Sequence, residues 1–389
     1  MNLAILLSCS SFEGFFGRVQ GQSRKSYLET YRNDFAWYYA RGLRDNGVNP
    51  ILYIPSMYET GKHKTDIGVD VRFLPLNHIY WPLELLWPKR LMRRSRWALY
   101  MDEQLNALAF SQPLKASLIH DEIYVLYIEE YWTGRFDYIV NNVDIPVVGA
   151  DHGAMSDRVV KLFKRTALTK AVQCYGQTER ECRTIELYGG HSVLAPNGCD
   201  VLEFFPDLST SRRKTILSVC RLNDKHKRTS DLIRVIATLP EDWSLDIVGA
   251  GPDRRMLEGL ASRLGVSSRV RFHGFVDRAE VRDFLRRCGV FAMPSANEAV
   301  ALAALEAMAC GAAVVLSRIP PFEDLVTDGV NGRLARVGDI AALANCIIDA
   351  WERREPLGSA AYNTVLTRYN SRLLYQRLAE SLRAAADRA

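Results

Sequence analysis

From residue 215 to residue 316 short apolar runs alternate with amphipathic stretches, and no other feature of the chain constrains its fold as tightly. Residues 215–220, 244–248, 270–272, 290–293 and 313–316 read as strands. Between them, 230–238, 254–264, 278–287 and 301–310 carry the helical period. A parallel strand is reached only through a crossover, so this order spells out βαβ units. The first half repeats the theme, with strand candidates at 3–7, 50–54, 71–74, 116–119, 138–140 and 146–148. A helix over 34–44 falls between the first two, and Phe35, Trp37, Tyr38, Tyr39 and Leu43 make it too aromatic for a solvated face. The expectation is an α/β chain with two doubly wound, Rossmann-like sheets facing each other.

Length agrees with more than one such unit. At 389 residues the chain exceeds one ordinary core and calls for roughly two to three domains. The polar, aperiodic stretch 206–214 (PDLSTSRRK) marks a boundary. Helical spacing from Leu366 to Leu382 predicts a C-terminal helix over about 362–383 that packs on another element. With 48% hydrophobic and 24% charged residues, disordered and fibrous architectures drop out. No apolar run approaches the roughly 18 residues of a membrane span. The run Leu3 to Leu7 has no basic segment ahead of it, and reads as a buried first strand and not a signal peptide. A net charge of +5 is too mild to imply nucleic acid. The eight cysteines form no C-x-x-C pair and sit in apolar contexts, which predicts buried thiols in a reducing, cytoplasmic setting without zinc. No D-x-D spacing offers a seat for Mg²⁺ or Mn²⁺, so no metal is expected.

The densest chemical signal is 294–311, PSANEAVALAALEAMACG. Glu298 falls in the loop after a strand, and Glu306 lies eight residues on, inside the following helix. Open α/β sheets bind ligands beyond the carboxyl ends of their strands, where this junction lies. A helix beginning near Val300, Ala301 or Leu302 turns its unpaired N–H groups toward a phosphate. Glu298 would then accept hydrogen bonds from hydroxyls beyond that phosphate, and Glu306 from a ribose diol. Either glutamate alone is an ordinary solvated charge; the strand, the Pro-Ser turn and the small-residue helix around the two argue for a site.

This segment resembles the E-x7-E signature of the family-four glycosyltransferases, which have the two-domain GT-B fold. Other stretches resemble the family's in the same order. They are Ala195-Pro196-Asn197-Gly198-Cys199-Asp200 followed by Phe205-Pro206, then Ser218-Val219-Cys220-Arg221-Leu222 with Lys227. Val248-Gly249-Ala250-Gly251-Pro252, Phe272-His273-Gly274-Phe275 and Asp328-Gly329-Val330-Asn331-Gly332 complete the series. The resemblance covers about 190–340 and far less of the first 190 residues. It implies an acceptor-binding domain at 1–205, a nucleotide-sugar-binding domain at 206–361 facing it across a cleft, and a helix at 362–389 that returns to the N-terminal domain. It further implies transfer of a sugar, with retention of configuration, from a nucleotide sugar (UDP before GDP) to a glycan, lipid-linked or small-molecule acceptor. The nucleotide sugar is then a co-substrate, with no cofactor and no metal. Arg221 and Lys227 would supply fixed positive charge to the departing diphosphate, with Lys225 as the competing lysine. Asn197 would lie in the interdomain stretch and contact substrate, and Gly274 would open the loop that reads the base.

In the first half Asp151-His152-Gly153 follows a strand as the family's H-G segment does, and by that resemblance His152 contacts the transferred sugar near the reaction centre. His120, at the end of another strand candidate, would line the same cleft or serve structure. Residues 8–17 hold the position of the family's glycine-rich turn. There Gly14 and Gly17 would let backbone approach the diphosphate, or the aromatics would form a cleft wall. The chain departs from the family twice: Ala299-Val300-Ala301 stand where G-F-G is common, and Arg228 where a glycine is frequent. Alanine keeps its N–H but disfavours φ > 0. A non-catalytic GT-B subunit that binds a glycan or a partner enzyme is therefore an alternative, and a nucleotide-sugar epimerase is another. The missing G-x-G-x-x-G after the first strand speaks against a dinucleotide oxidoreductase. Residues 81–97 gather Trp81, Trp87 and Trp97 with five cations and one acid. They suit either an anionic lipid surface, at the cytoplasmic face of a membrane, or an insertion helix whose aromatics pack inward.

Overall fold

The structure, a computed structural model, describes residues 1–32, 35–82, 95–151, 161–207, 209–298 and 302–388. The first sheet is built from β1 (Asn2–Leu6), β2 (Asn49–Ser56), β3 (Gly61–His63), β4 (Asp70–Pro75), β5 (Val125–Glu129), β6 (Val147–Ala150), β7 (Gln173–Gly176) and β8 (Ser192–Leu194). Its order is β3-β4-β2-β1-β5-β6-β7-β8, parallel except where β3 meets β4. The second contains β9 (Arg213–Val219), β10 (Ser244–Val248), β11 (Val270–Gly274), β12 (Cys288–Met293), β13 (Ala313–Ser317) and β14 (Arg333–Ala335). Its order is β11-β10-β9-β12-β13-β14, parallel throughout.

The strands form where they do because both faces of each sheet are covered. Leu3 and Ile5 join Leu52, Ile54, Val125 and Tyr127 in one apolar cluster, while Ala4 and Leu6 join Ile51, Tyr53, Leu126 and Ile128 in another. A strand buried on both sides reads as a continuous apolar run, which is why short runs were informative. In each sheet the chain order reverses beside the central strand, between β1 and β5 and between β9 and β12. The crossovers there leave in opposite directions and open a crevice at the carboxyl ends of those strands.

The chain divides into two compact units, Met1–Pro196 with Leu373–Ala389 and Asn197–Arg372. The division precedes the polar stretch at 206–214, because Cys199, Val201 and Phe204 are buried in the second unit's core. The C-terminal segment is two helices, Arg354–Arg368 and Ser371–Ala386, and not one. They part where Asn370 bridges Cys199: the Cys199 N–H donates to the Tyr369 carbonyl at 2.8 Å, and the Ser371 N–H to the Cys199 carbonyl at 3.0 Å. The last helix belongs to the first unit, with Leu378, Ala379, Leu382 and Ala385 in its core.

Two expected strands are helices. Residues 116–119 lie in Ser111–His120, which buries Ser111, Leu114, Ser117 and Leu118. Residues 138–140 lie in Gly134–Asn142, where the Thr133 hydroxyl caps the start by accepting from the Phe136 N–H at 3.3 Å. A window of three or four apolar residues fits one turn of a buried helix as well as a strand. The strand between them is β5, which pairs with β1 from Leu3↔Val125 to Leu6↔Ile128. His120 consequently closes a helix and is exposed.

Candidate active site

In the second unit the loops after β9 and β12 meet at the reversal point. Cys220 and Arg221 leave β9 and run into the short helix Asp224–Lys227. That turn is pinned by Asp224, whose carboxylate accepts from the Ser230 N–H and hydroxyl at 2.7 Å each. It is also pinned by the Ala296 N–H, which donates to the His226 carbonyl at 2.8 Å. The result brings two expected site residues together: the Lys227 ammonium donates to the Glu298 carboxylate, and both are largely buried. Lys225 is exposed, with no ion pair among the described residues. The Arg221 side chain is also exposed, beside the same turn. Arg228 has φ 50°, the left-handed region, which accounts for a glycine being frequent there; its guanidinium holds Asp231 at 2.6 and 3.2 Å.

Glu306 is the one charged residue of the helix Leu302–Ala309, which otherwise buries alanine, leucine and methionine. Its carboxylate accepts from Arg278 Nη1 at 3.1 Å, and the same guanidinium holds Glu203 at 2.8–3.2 Å while lying 4.9 Å over the Phe204 ring. Burial pushes the Glu306 carboxyl up to about 7, against the pull of Arg278 and with a further push from Glu203. Arg278 is placed by a capping box: the Asp277 carboxylate accepts from the Glu280 N–H at 2.9 Å, so the helix starts at Arg278. Sequence reading missed Arg278 and Glu203, since neither falls in a motif and their contact joins separate loops. Gly274, at φ 74°, ends β11 and accepts the Gly249 N–H at 2.7 Å. Gly249 itself presses on the β9 loop, where a Cβ would stand 2.0 Å from the Cys220 carbonyl. Asn197 is buried at the start of this unit, and Leu302 opens the helix. Val300 and Ala301, with Ala299, lie outside the described residues.

In the first unit residues Glu13–Gly17 form a π-helical turn after β1. Its anchor is Glu13, whose carboxylate accepts from the Ser56 hydroxyl at 2.5 Å and from the Met57 and Tyr58 N–H groups at 3.0 and 3.2 Å. Gly14 donates its N–H to the Ser11 hydroxyl at 3.0 Å, and Gly17, at the end of the turn, has room for a Cβ. His152 lies outside the described residues. Its neighbour Asp151 is buried at the end of β6, where Glu130 and Glu181 flank it electrostatically. Burial, then the Asp151 charge, pushes both glutamates up to about 7. The Tyr131 hydroxyl and the Gln177 N–H donate to Glu181, and Glu130 sits at φ 60°. The sequence reading passed over this carboxylate group, although its members follow β5 and β6 and open the helix Glu179–Leu187. Among the described residues no three ligating side chains are placed to hold a metal ion.

Two doubly wound α/β units with charged residues at their reversal points define a chain of the GT-B type, and solved structures agree on the fold. Sucrose-phosphate synthase from Thermosynechococcus elongatus superposes with TM-score 0.77 at 17% identity, covering 100% of both chains. Anabaena HepE, solved in complex with UDP, does so with TM-score 0.70 at 18% identity over 99% of this chain and 100% of that one. Residues 202–364, within the second unit, match the family described as glycosyl transferases group 1. A D-inositol 3-phosphate glycosyltransferase from Xylanimonas cellulosilytica is 38% identical over 120 residues, 30% of this chain and 29% of that protein. A phosphatidyl-myo-inositol mannosyltransferase from Mycobacterium leprae is 34% identical over 172 residues, 42% and 45%. The lipopolysaccharide core biosynthesis glycosyltransferase LpsE of Rhizobium meliloti is 39% identical over 116 residues, 30% and 33%. The chain thus spans less than half the length of these relatives.

Proposed function

We propose that the chain is a retaining glycosyltransferase that moves a sugar from a nucleotide sugar, UDP-linked before GDP-linked, to a glycan or lipid-linked acceptor without a metal. The single observation that carries this reading is the Lys227–Glu298 ion pair at the reversal point of the second sheet, beside Arg221 and within one helix of Glu306. Relatives named as glycosyltransferases and mannosyltransferases support it. In this reading the donor diphosphate takes over the Lys227 ammonium and draws in Arg221, so that two fixed cations meet the charge that develops as the bond to the sugar breaks. Glu298, released from Lys227, accepts a hydroxyl of the transferred sugar, and Glu306 accepts the ribose diol. His152, in the family's H-G position, contacts the transferred sugar near the reaction centre. The setting is cytoplasmic, and the anionic-surface reading of 81–97 remains part of the proposal, with Trp81, Pro82 and 95–97 its described members.

The test is a thermal-shift panel of UDP, GDP, ADP, CMP and dTDP on wild type and Glu306→Ala. A nucleotide at about a hundred times its dissociation constant adds roughly 2.7 kcal/mol of stability. One nucleotide should stabilise the wild type and not the variant, and Arg221→Ala should lower kcat about a hundredfold with a smaller change in KM. Silence across the panel in a folded protein would replace this reading by the non-catalytic subunit.

A further inference from the structure

The outer strands of the second sheet depart from the doubly buried pattern. β10 (SLDIV) opens and β11 (VRFHG) continues with alternating polar and apolar residues, where a strand covered on both faces is apolar throughout. Leu245, Ile247 and Val270 enter the core on one face, with Phe272 packed against them. The opposite face carries Ser244, Asp246, Arg271 and His273, with Thr215 level with Ser244 on β9 and Asp246 level with Arg271. The helix Arg278–Arg287 crosses this face, and a cavity of about 450 Å³ lies between its Phe284 and Arg287 and the three strands. The cavity has a built floor. Thr215 and Asp246 are buried, the Thr215 and Ser244 hydroxyls are 3.1 Å apart, and the Asp246 carboxylate accepts from Arg271 Nε at 2.6 Å and lies 2.9 Å from His273 Nε2. The His273 and Phe284 rings, 4.6 Å between centroids, form a wall.

We propose that this cavity is a second ligand site of the chain, and that its ligand is a phosphorylated sugar. Charge selects the phosphate. Both carboxylates that line the cavity are already matched, Asp242 by Lys214 and Asp246 by Arg271. Arg213 and Arg287 line it too, are exposed, and have no ion pair among the described residues. Two guanidiniums left over by the internal pairing complement a phosphate dianion, whose oxygens they can meet in pairs. The remaining lining selects a polyol over a base, because a carboxylate and two hydroxyls are partners for alcohol groups and the ring pair offers an apolar face. The volume falls within the roughly 300–1,000 Å³ of small-molecule sites. This site is separate from the proposed donor site: Arg213 begins β9, whereas Arg221 and Lys227 follow its carboxyl end, roughly 20 Å of strand away.

The test is calorimetric titration of the full chain with glucose 6-phosphate, inorganic phosphate and glucose. The variants are Arg213→Ala/Arg287→Ala at the cavity and Glu306→Ala at the donor site. Both arginines are exposed, so the ligand-free double variant should melt with the wild type, which separates loss of the site from loss of the fold. Wild type and Glu306→Ala should bind glucose 6-phosphate alike, more weakly as salt is raised, and the double variant at least tenfold more weakly. Inorganic phosphate should bind the wild type more weakly than the sugar phosphate, and glucose should not bind. Equal affinity in the double variant and the wild type, loss in Glu306→Ala alone, or no binding of glucose 6-phosphate would overturn the proposal. So would glucose or inorganic phosphate binding as tightly as glucose 6-phosphate.

Discussion

A buried carboxylate held by one guanidinium is the most consequential residue-scale feature of the second unit. The Glu306 carboxyl is pushed up to about 7 by burial, and Arg278 opposes that push. A ribose diol donates to an ionised carboxylate, so in the proposed reading nucleotide affinity climbs as pH rises through about 7 and then levels. Removing Arg278 leaves Glu203 and burial unopposed, and Glu306 keeps its proton to higher pH. Arg278→Ala should therefore bind nucleotide about tenfold more weakly at neutral pH for each pH unit by which the titration moves, and should approach wild type at alkaline pH. Calorimetric titration across pH checks this. Equal loss at every pH would mean that Arg278 only braces the Glu203 loop.

At the scale of elements, the last helix packs closely on the helix Phe35–Asp45. Tyr375 meets the Tyr39 ring edge-on at 5.4 Å and lies against Gly42 in the helix Phe35–Asp45. A Cβ on Gly42 would stand 2.1 Å from the Tyr375 ring. Gly42→Ala gains helix propensity of about 1 kcal/mol but overpacks this contact by about 1–3 kcal/mol. A net loss of about 1 kcal/mol is expected in denaturant melts. Tyr375→Ala should remove the penalty, so that Gly42→Ala becomes stabilising in that background, a coupling that a double-mutant cycle reads directly. The C-terminal helical period was legible in the sequence, but its break at Asn370 was not, since the break is made by a backbone bridge to Cys199. The same contrast runs through the chain. β10 and the helix Arg278–Arg287 lie where their patterns place them, because a doubly buried strand and a capped amphipathic helix are each specified locally. β5 was lost between apolar windows of equal strength that belong to its flanking helices. Glu298 and Glu306 were legible because one loop and one helix carry both, whereas Glu203 and Arg278 meet Glu306 only through the fold.

For the whole molecule, opposing sets of carboxyls define a pH window. Glu130 and Glu181 in the first unit and Glu306 in the second are pushed up to about 7, chiefly by burial. The folded chain binds their protons more tightly than the unfolded chain. Their contribution is thus fully present below the ordinary glutamate range of about 4.5, and is lost as pH rises through about 7. Asp246 and Asp328 are held low by hydrogen-bond partners despite their burial, Asp246 by Arg271 and His273 and Asp328 by Arg333 and Arg318, so their contribution disappears as pH falls below the ordinary aspartate range. Each pH unit over which one such group differs in protonation between folded and unfolded chain is worth about 1.4 kcal/mol. The ligand-free protein should therefore be most stable in mildly acidic buffer and should lose melting temperature between about pH 5 and 8. The stabilisation added by the nucleotide should grow over that same interval, because it needs Glu306 ionised. Melting scans at constant ionic strength, with and without nucleotide, read both slopes. Glu306→Gln should flatten the first slope in part, leaving Glu130 and Glu181, and abolish the second entirely. If nucleotide stabilisation in the wild type does not grow with pH, Glu306 is not the group that holds the ribose.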